Sequence, residues 1–186
     1  MRPISSSTLG TEGSALVEFA IVLPLLVVFL VGIYDFSGAF NQRQKIEHAA
    51  QEGAVVAGAQ PTTDLDPGNP NPDSLRPVLQ VVFSSLVTNN VVPDGPFSNC
   101  TVTPAHVSGL KWSYSLGGCA IDPIVIVIDR GWVPTGLGPP VTVGTQIQVS
   151  YPYHWHFNSV IQLLVPGASY AAITNLNEAA SVHNQM

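Results

Sequence analysis

The sequence predicts an α+β protein: a long N-terminal helix, membrane-spanning in its first half, packed on a small antiparallel β-sheet domain. Three observations predict it. An uncharged apolar run, FAIVLPLLVVFLVGIY, fills Phe19–Tyr34. A proline-free segment with a helical stripe continues from there to Ala59. Beyond a Pro-rich stretch, short β-branched and alternating runs recur.

Composition narrows the function classes. The 186 residues suit one domain, or one small domain with an appendage. Hydrophobic residues make up 46% and charged residues only 10%, where about 25% charged is usual. The net charge of -6 argues against a nucleic-acid binder, which needs a basic stripe to meet phosphates. So low a charge content is also unlike an acidic disordered chain. Gly and Pro number 16 each without a G-X-Y period, which excludes collagen. Two cysteines are too few for a multi-disulfide mini-protein.

Extending the apolar run back to Ser14 gives 21 residues interrupted only by Glu18. As a helix this spans about 31 Å at roughly 1.5 Å per residue, the thickness of a bilayer core. A transmembrane helix is therefore the reading. A cleaved secretory signal peptide is the alternative, with Ser37-Gly38-Ala39 as a passable cleavage site. Against it, the run is long, Arg2 is the only base before it, and Glu18 interrupts it. A buried core helix would find little else in this chain to cover it.

Glu18 is the informative residue of the span. A carboxylate near the bilayer centre costs about 2.5–3.5 kcal/mol on insertion scales, and less near the end of the span. It is either an interfacial acid with its head in water or a functional group with a partner. Pro24 would cost about 3 kcal/mol in a soluble helix interior. Transmembrane helices tolerate proline because neighbours or adjusted turns re-satisfy the freed carbonyl. A local kink and a silent proline are both open.

After the span, Phe36, Phe40, Ile46, Ala49, Ala50, Gly53, Ala54 and Ala57 recur at three- and four-residue steps. Arg43, Lys45, Glu47 and Glu52 mostly lie elsewhere. One helix from about Leu16 to Ala59 is expected, with its outer half on the chain's own β-domain. Its small residues permit close helix approach. His48 falls on the polar face.

Gln60–Asp73 holds four prolines and three aspartates and reads as a loop. Its acids lack the spacing of a calcium-binding EF-hand loop. With it, residues 60–76 form a linker, and residues 77–186 the outer domain. Pro77–Val87 has a helical cast, capped by Asp73 or Ser74 with Pro77 in the first turn. Ile124–Asp129 (IVIVID) reads as a buried strand. Val141–Tyr153 alternates, with Gln146, Gln148 and Ser150 on one face and Ile147, Val149 and Tyr151 on the other. Pro152 ends the regular pairing or marks an edge. Val107–Leu116 and Ser169–Asn175 are further strand candidates.

The search for chemistry yields little. Cys100 and Cys119 form a disulfide if the domain is extracytoplasmic, worth about 3 kcal/mol in the chain-entropy model. Zinc held by these cysteines and two histidines is the rival, but no C-x-x-C or H-x-x-x-H spacing supports it. On a strand, His154 and His156 face one side. A metal there would need His106, Asp122 or Asp129 as third ligand, with no spacing to support one. Exposed histidines at an aromatic-rich strand end are the simpler reading. Neither a nucleophile elbow nor a phosphate loop G-x-x-x-x-G-K occurs. No enzymatic activity, cofactor, metal or small-molecule substrate is expected.

The stretch GSALVEFAIVLPLLVVFLVGIYDFSGAFNQRQKIEHAAQEGAVVAG resembles the N-terminus of TadE/TadG-like proteins. These are pseudopilins or minor pilins of tight-adherence (Flp-type IVc) pilus systems. The resemblance covers Gly13 to Ala59 through the G-S-A-x-V-E-F start, the Leu-Pro inside the run, the Tyr-Asp-Phe after it and the small-residue helix. Further on it is similar only in outline, with a strand near Gln146–Tyr153 and a polar end near Asn175–Glu178.

What the resemblance implies is processing by a membrane aspartic prepilin peptidase. Gly13 would end a leader of residues 1–13, Ser14 would become the N-terminus, and Glu18 would be the fifth residue of the mature chain. Residues 14–59 would be the transmembrane and extended helix. Glu18, Phe19 and Pro24 would meet neighbouring subunits, with Glu18 beside an incoming amine. Such a pair offsets the burial of each charge and sets register. The implied partners are the inner membrane, the prepilin peptidase, other pilins and Tad assembly proteins. The implied location is the inner membrane, single-pass, with an extracytoplasmic C-terminal domain, or the pilus at the cell surface. Arg43 and Lys45 beyond the span favour the reverse orientation if bases are simply counted, so the orientation rests on the resemblance. A membrane-anchored adhesin or cargo-binding module without a filament role is the alternative.

Overall fold

The computed structural model describes residues 11–93, 95–134, 143–157, 162, 167 and 173–184, with backbone alone for residues 11 and 12. Helix α1 runs Thr11–Ala59. It starts five residues before the expected Leu16. The chain divides into two units, one of Met1–Gly38 with Trp155–Ala172, the other of Ala39–His154 with Ile173–Met186.

In the second unit, helix α2 (Arg76–Thr88) and five strands complete the fold. The strands are β1 (Thr101–Ser108), β2 (Lys111–Gly117), β3 (Ile124–Trp132), β4 (Gly144–His154) and β5 (Ile173–His183). They form one antiparallel sheet in the order β1-β2-β3-β4-β5. Period-2 alternation aims one set of side chains inward. Trp112 pairs with Ile128 and Ile128 with Ile147; Tyr114 pairs with Ile126 and Ile126 with Val149. All six are buried.

The outer half of α1 covers this core with the residues the stripe predicted. Ile46, Ala49, Ala50, Ala54 and Ala57 are fully buried. A Cβ on Gly53 would meet Val82 of α2 and Ile147 of β4. Phe36 and Phe40 depart from the expectation, at 68% and 65% exposed. Ala39 takes the buried place instead, and each residue turns the helix by about 100°, so Phe40 faces away. Arg43 pairs with Glu178 of β5.

Several boundaries differ from the sequence reading. Residues 107–116 are not one strand: Gly109, at φ 53°, turns the chain between β1 and β2. Glycine takes that conformation without Cβ strain. The last strand runs on well past Asn175. It occupies Ile173–His183, and residues 169–172 fall outside the described residues. The expected polar end at Asn175–Glu178 is therefore part of β5. Residues 141 and 142 of the alternating run also lie outside the description, while its two faces hold: Ile147 and Val149 are buried, Gln148 exposed. Pro152 sits beyond the last β3 partner of β4, Ser150, and pairs only with Asn175 of β5. It thus stands where β4 is locally an edge.

Helix α2 has Pro77 in its first turn as expected, but neither Asp73 nor Ser74 caps it. Those residues form a 3-10 turn, Asp73–Leu75, and the Ser74 N–H donates to Asp64 at 2.8 Å. The C-terminus of α2 is closed by Asn90 at φ 53°, after which the Val91 N–H reaches back to the Leu86 carbonyl at 2.9 Å.

Candidate assembly interface

The first half of α1 has almost no cover from the described residues. An 18-residue window reaches a mean hydropathy of 2.8 with none of it buried, so the helix is long and apolar enough to cross a membrane. Its exposed side chains include Leu16, Phe19, Ile21, Leu25 and Phe29. Burying such a side chain is worth about 1.5–3 kcal/mol, which makes an apolar surrounding the favourable one for this segment.

The polar interruptions sit at defined places on it. Gly13 lies inside the helix, with open space where a Cβ would stand. The Ser14 hydroxyl donates to Glu18 Oε1 at 3.2 Å, one turn on, and both side chains are exposed. Phe19 is exposed. Pro24 is inside the helix; lacking an N–H, it leaves the Ala20 carbonyl without its usual donor.

Asp35 was missed as a site residue by sequence reasoning. It follows the apolar run directly, yet its side chain is only 1% exposed. Its Oδ2 accepts the Phe157 N–H at 2.7 Å, and its Oδ1 lies 3.2 Å from His156 Nδ1. Beside it, Phe36 and Trp155 meet edge to face with centroids 5.2 Å apart. The available signal was a charge placed immediately after sixteen uncharged residues.

The two histidines do not converge on one metal site. His154 Nε2 lies 2.5 Å from Asp122 Oδ2, whereas His156 faces Asp35. Of the other residues considered as ligands, His106 contacts the Gly109 carbonyl at 3.0 Å and Asp129 pairs with Lys111 at 3.3 Å. Among the described residues no group of three His, Cys, Asp or Glu is placed to hold a metal ion. Cys100 and Cys119 are joined by a disulfide.

A buried polar cluster fastens the Pro-rich loop to the sheet. Arg130 continues the inward series Ile124, Ile126, Ile128 on β3 and is 2% exposed. It donates to the Gln60 carbonyl at 2.7 Å, and Trp112 Nε1 donates to the Asn69 carbonyl at 3.0 Å. Burial raises the Asp64 carboxyl, but hydrogen bonds, the Ser74 backbone N–H foremost, together outweigh it and hold the group below the usual carboxylate range. Burial lowers the Arg130 guanidinium, with Asp64 opposing. It pushes the Tyr114 hydroxyl up, and Asp64 adds to that. These groups serve the fold: they anchor a loop whose turn-forming residues cannot bond in a ladder.

With this geometry in place, comparison with known proteins gives one relation. Residues 13–55 match the family described as TadE-like protein. The match covers the apolar half of α1 and most of its small-residue half, the stretch whose motifs carried the resemblance. The TadE-like family is a structural pilus component of pilin-like proteins associated with Tad pili. The remainder of the chain lies outside the match. No curated protein and no solved structure matches this chain.

Proposed function

We propose that the protein is a minor pilin or pseudopilin of a Tad (Flp, type IVc) pilus, acting in assembly, initiation or capping for adhesion or secretion. Residues 1–13 are a leader removed after Gly13 by a prepilin peptidase. Residues 14–34 anchor the chain in the inner membrane, and the helix continues to residue 59. The loop of 60–76 leads into an extracytoplasmic domain of 77–186.

The observation that carries this reading is an uncovered apolar helix whose stretch from Gly13 to Tyr34, inside the TadE-like match, bears a single carboxylate, Glu18. Glu18 is the fifth residue after Gly13. In the membrane its charge needs a counter-charge. The amine freed on Ser14 of a neighbouring subunit supplies one, and the pair sets the axial register between subunits. Phe19 and Pro24 flank this contact on the same helix. Other pilins and the Tad assembly proteins are the partners that such a surface meets.

The test is a photo-crosslinker at position 19 in cells that assemble the pilus. The wild-type chain is expected to crosslink to pilin subunits, and Glu18→Ala to lose those products while remaining in the membrane. Assembly and crosslinking by Glu18→Ala at the wild-type level would refute the role of Glu18.

A further inference from the structure

The segment Trp155–Phe157 is held against α1 at the point where the apolar run ends. Three contacts within the first unit hold it: the Phe157 N–H to Asp35 at 2.7 Å, His156 Nδ1 to Asp35 at 3.2 Å, and the Phe36–Trp155 edge-to-face pair at 5.2 Å. Gly32, one turn before Phe36, lies beneath the Phe157 ring; a Cβ there would sit 3.8 Å from it. The result is an aromatic collar at the end of the run: Phe36 meets Trp155, Phe157 lies over Gly32, and Tyr34 and Phe36 flank in sequence a carboxylate that is 1% exposed. Tyr34 and Phe36 remain 75% and 68% exposed.

We infer that this collar is a lipid-contact surface, seated in the headgroup layer of the bilayer at the C-terminal end of the span. The inference rests on the reading that α1 spans the membrane and adds a second chain segment to the membrane contact. Continuity is the argument for a bilayer as occupant. The collar begins at the last residue of the apolar run, where the surrounding medium changes from hydrocarbon to headgroup. Tryptophan and tyrosine favour that level because each presents an apolar body and a polar tip. Asp35 explains why a second segment is recruited. A carboxylate that is only 1% exposed needs hydrogen-bond partners in place of water. The Phe157 N–H and the His156 ring partner it from the same strap that brings Trp155 to the boundary. Asp35 is thus a positioning residue for the strap.

The full chain reconstituted in phosphatidylcholine vesicles tests this through bromolipid quenching of tryptophan fluorescence. The difference between wild type and Trp155→Phe isolates the Trp155 signal. It is expected to be quenched most by bromines near the headgroup end of the acyl chain. Phe29→Trp in the Trp155→Phe background reports on the span itself and is expected to be quenched most by deep bromines. If Phe29→Trp is quenched and Trp155 is not, or Trp155 is quenched best from the deep position, the collar inference is overturned and the span stands. If Phe29→Trp is not quenched, the span reading fails and the inference fails with it. Asp35→Leu should reduce the Trp155 quenching towards the Trp155→Phe baseline, while Asp35→Asn, which keeps an acceptor oxygen, should retain it. Unchanged quenching in Asp35→Leu overturns the positioning role of Asp35.

Discussion

A Cβ built on Gly53 of α1 would collide with Cγ2 of Val82 on α2. The outer half of α1 and helix α2 touch where α1 has no side chain, and Ile147 of the sheet closes the same contact at 3.7 Å. The small-residue half of α1 is therefore fitted to its own domain. Gly53→Val should destabilise the domain by about 2–3 kcal/mol through overpacking. Gly53→Ala should cost less, because alanine recovers about 1 kcal/mol of helix propensity. Urea midpoints of the two variants check this; a Val variant as stable as wild type would contradict the packing.

Arg130 holds the start of the Pro-rich loop through the Gln60 carbonyl. Arg130→Ala removes a charge-assisted hydrogen bond and a fully buried side chain. A loss of about 3 kcal/mol is expected, read as a lowered denaturation midpoint. Limited proteolysis should then cut between residues 60 and 72 first.

The carboxyl of Asp64 is held below its ordinary value in the folded chain. A group with a depressed folded pKa stabilises at pH above its unfolded value, about 3.9, and that contribution is lost as pH falls through the folded value. Stability should therefore fall with acid below about pH 5. Asp64→Asn should be less stable than wild type at neutral pH and should show a shallower acid slope. Denaturation curves across that range decide it, and parallel slopes would contradict the assignment.

The Cys100–Cys119 disulfide joins the approach to β1 with the β2–β3 connection. Replacing both cysteines by serine should cost about 3 kcal/mol in the chain-entropy model. An unchanged thermal midpoint would show that the sheet registers itself without the crosslink.

Much of this fold is legible in the sequence because its signals are local and periodic. The run to Tyr34, the alanine-glycine stripe and the IVIVI strand each state their environment through spacing alone. What escapes is non-local. Phe36 and Phe40 fit the stripe's spacing, yet Ala39 takes the buried place and both rings stand outside it. Val107–Leu116 looked continuous because valine and leucine bracket a glycine that turns the hairpin. Strand β5 is poor in β-branched residues over Asn175–Ala180 and is fixed by pairing with β4. Arg130 was within reach, since alternation from Ile124 places it inward. Asp35 and His156 lie 121 positions apart, and no sequence period joins them.

The intact mass and N-terminal sequence of the protein purified from native membranes test the central claim most directly. The account predicts a chain that begins at Ser14, with the amine that Glu18 of a neighbour requires. A chain that retains Met1–Gly13, or one cut near Ala39 and released from the membrane, would contradict it.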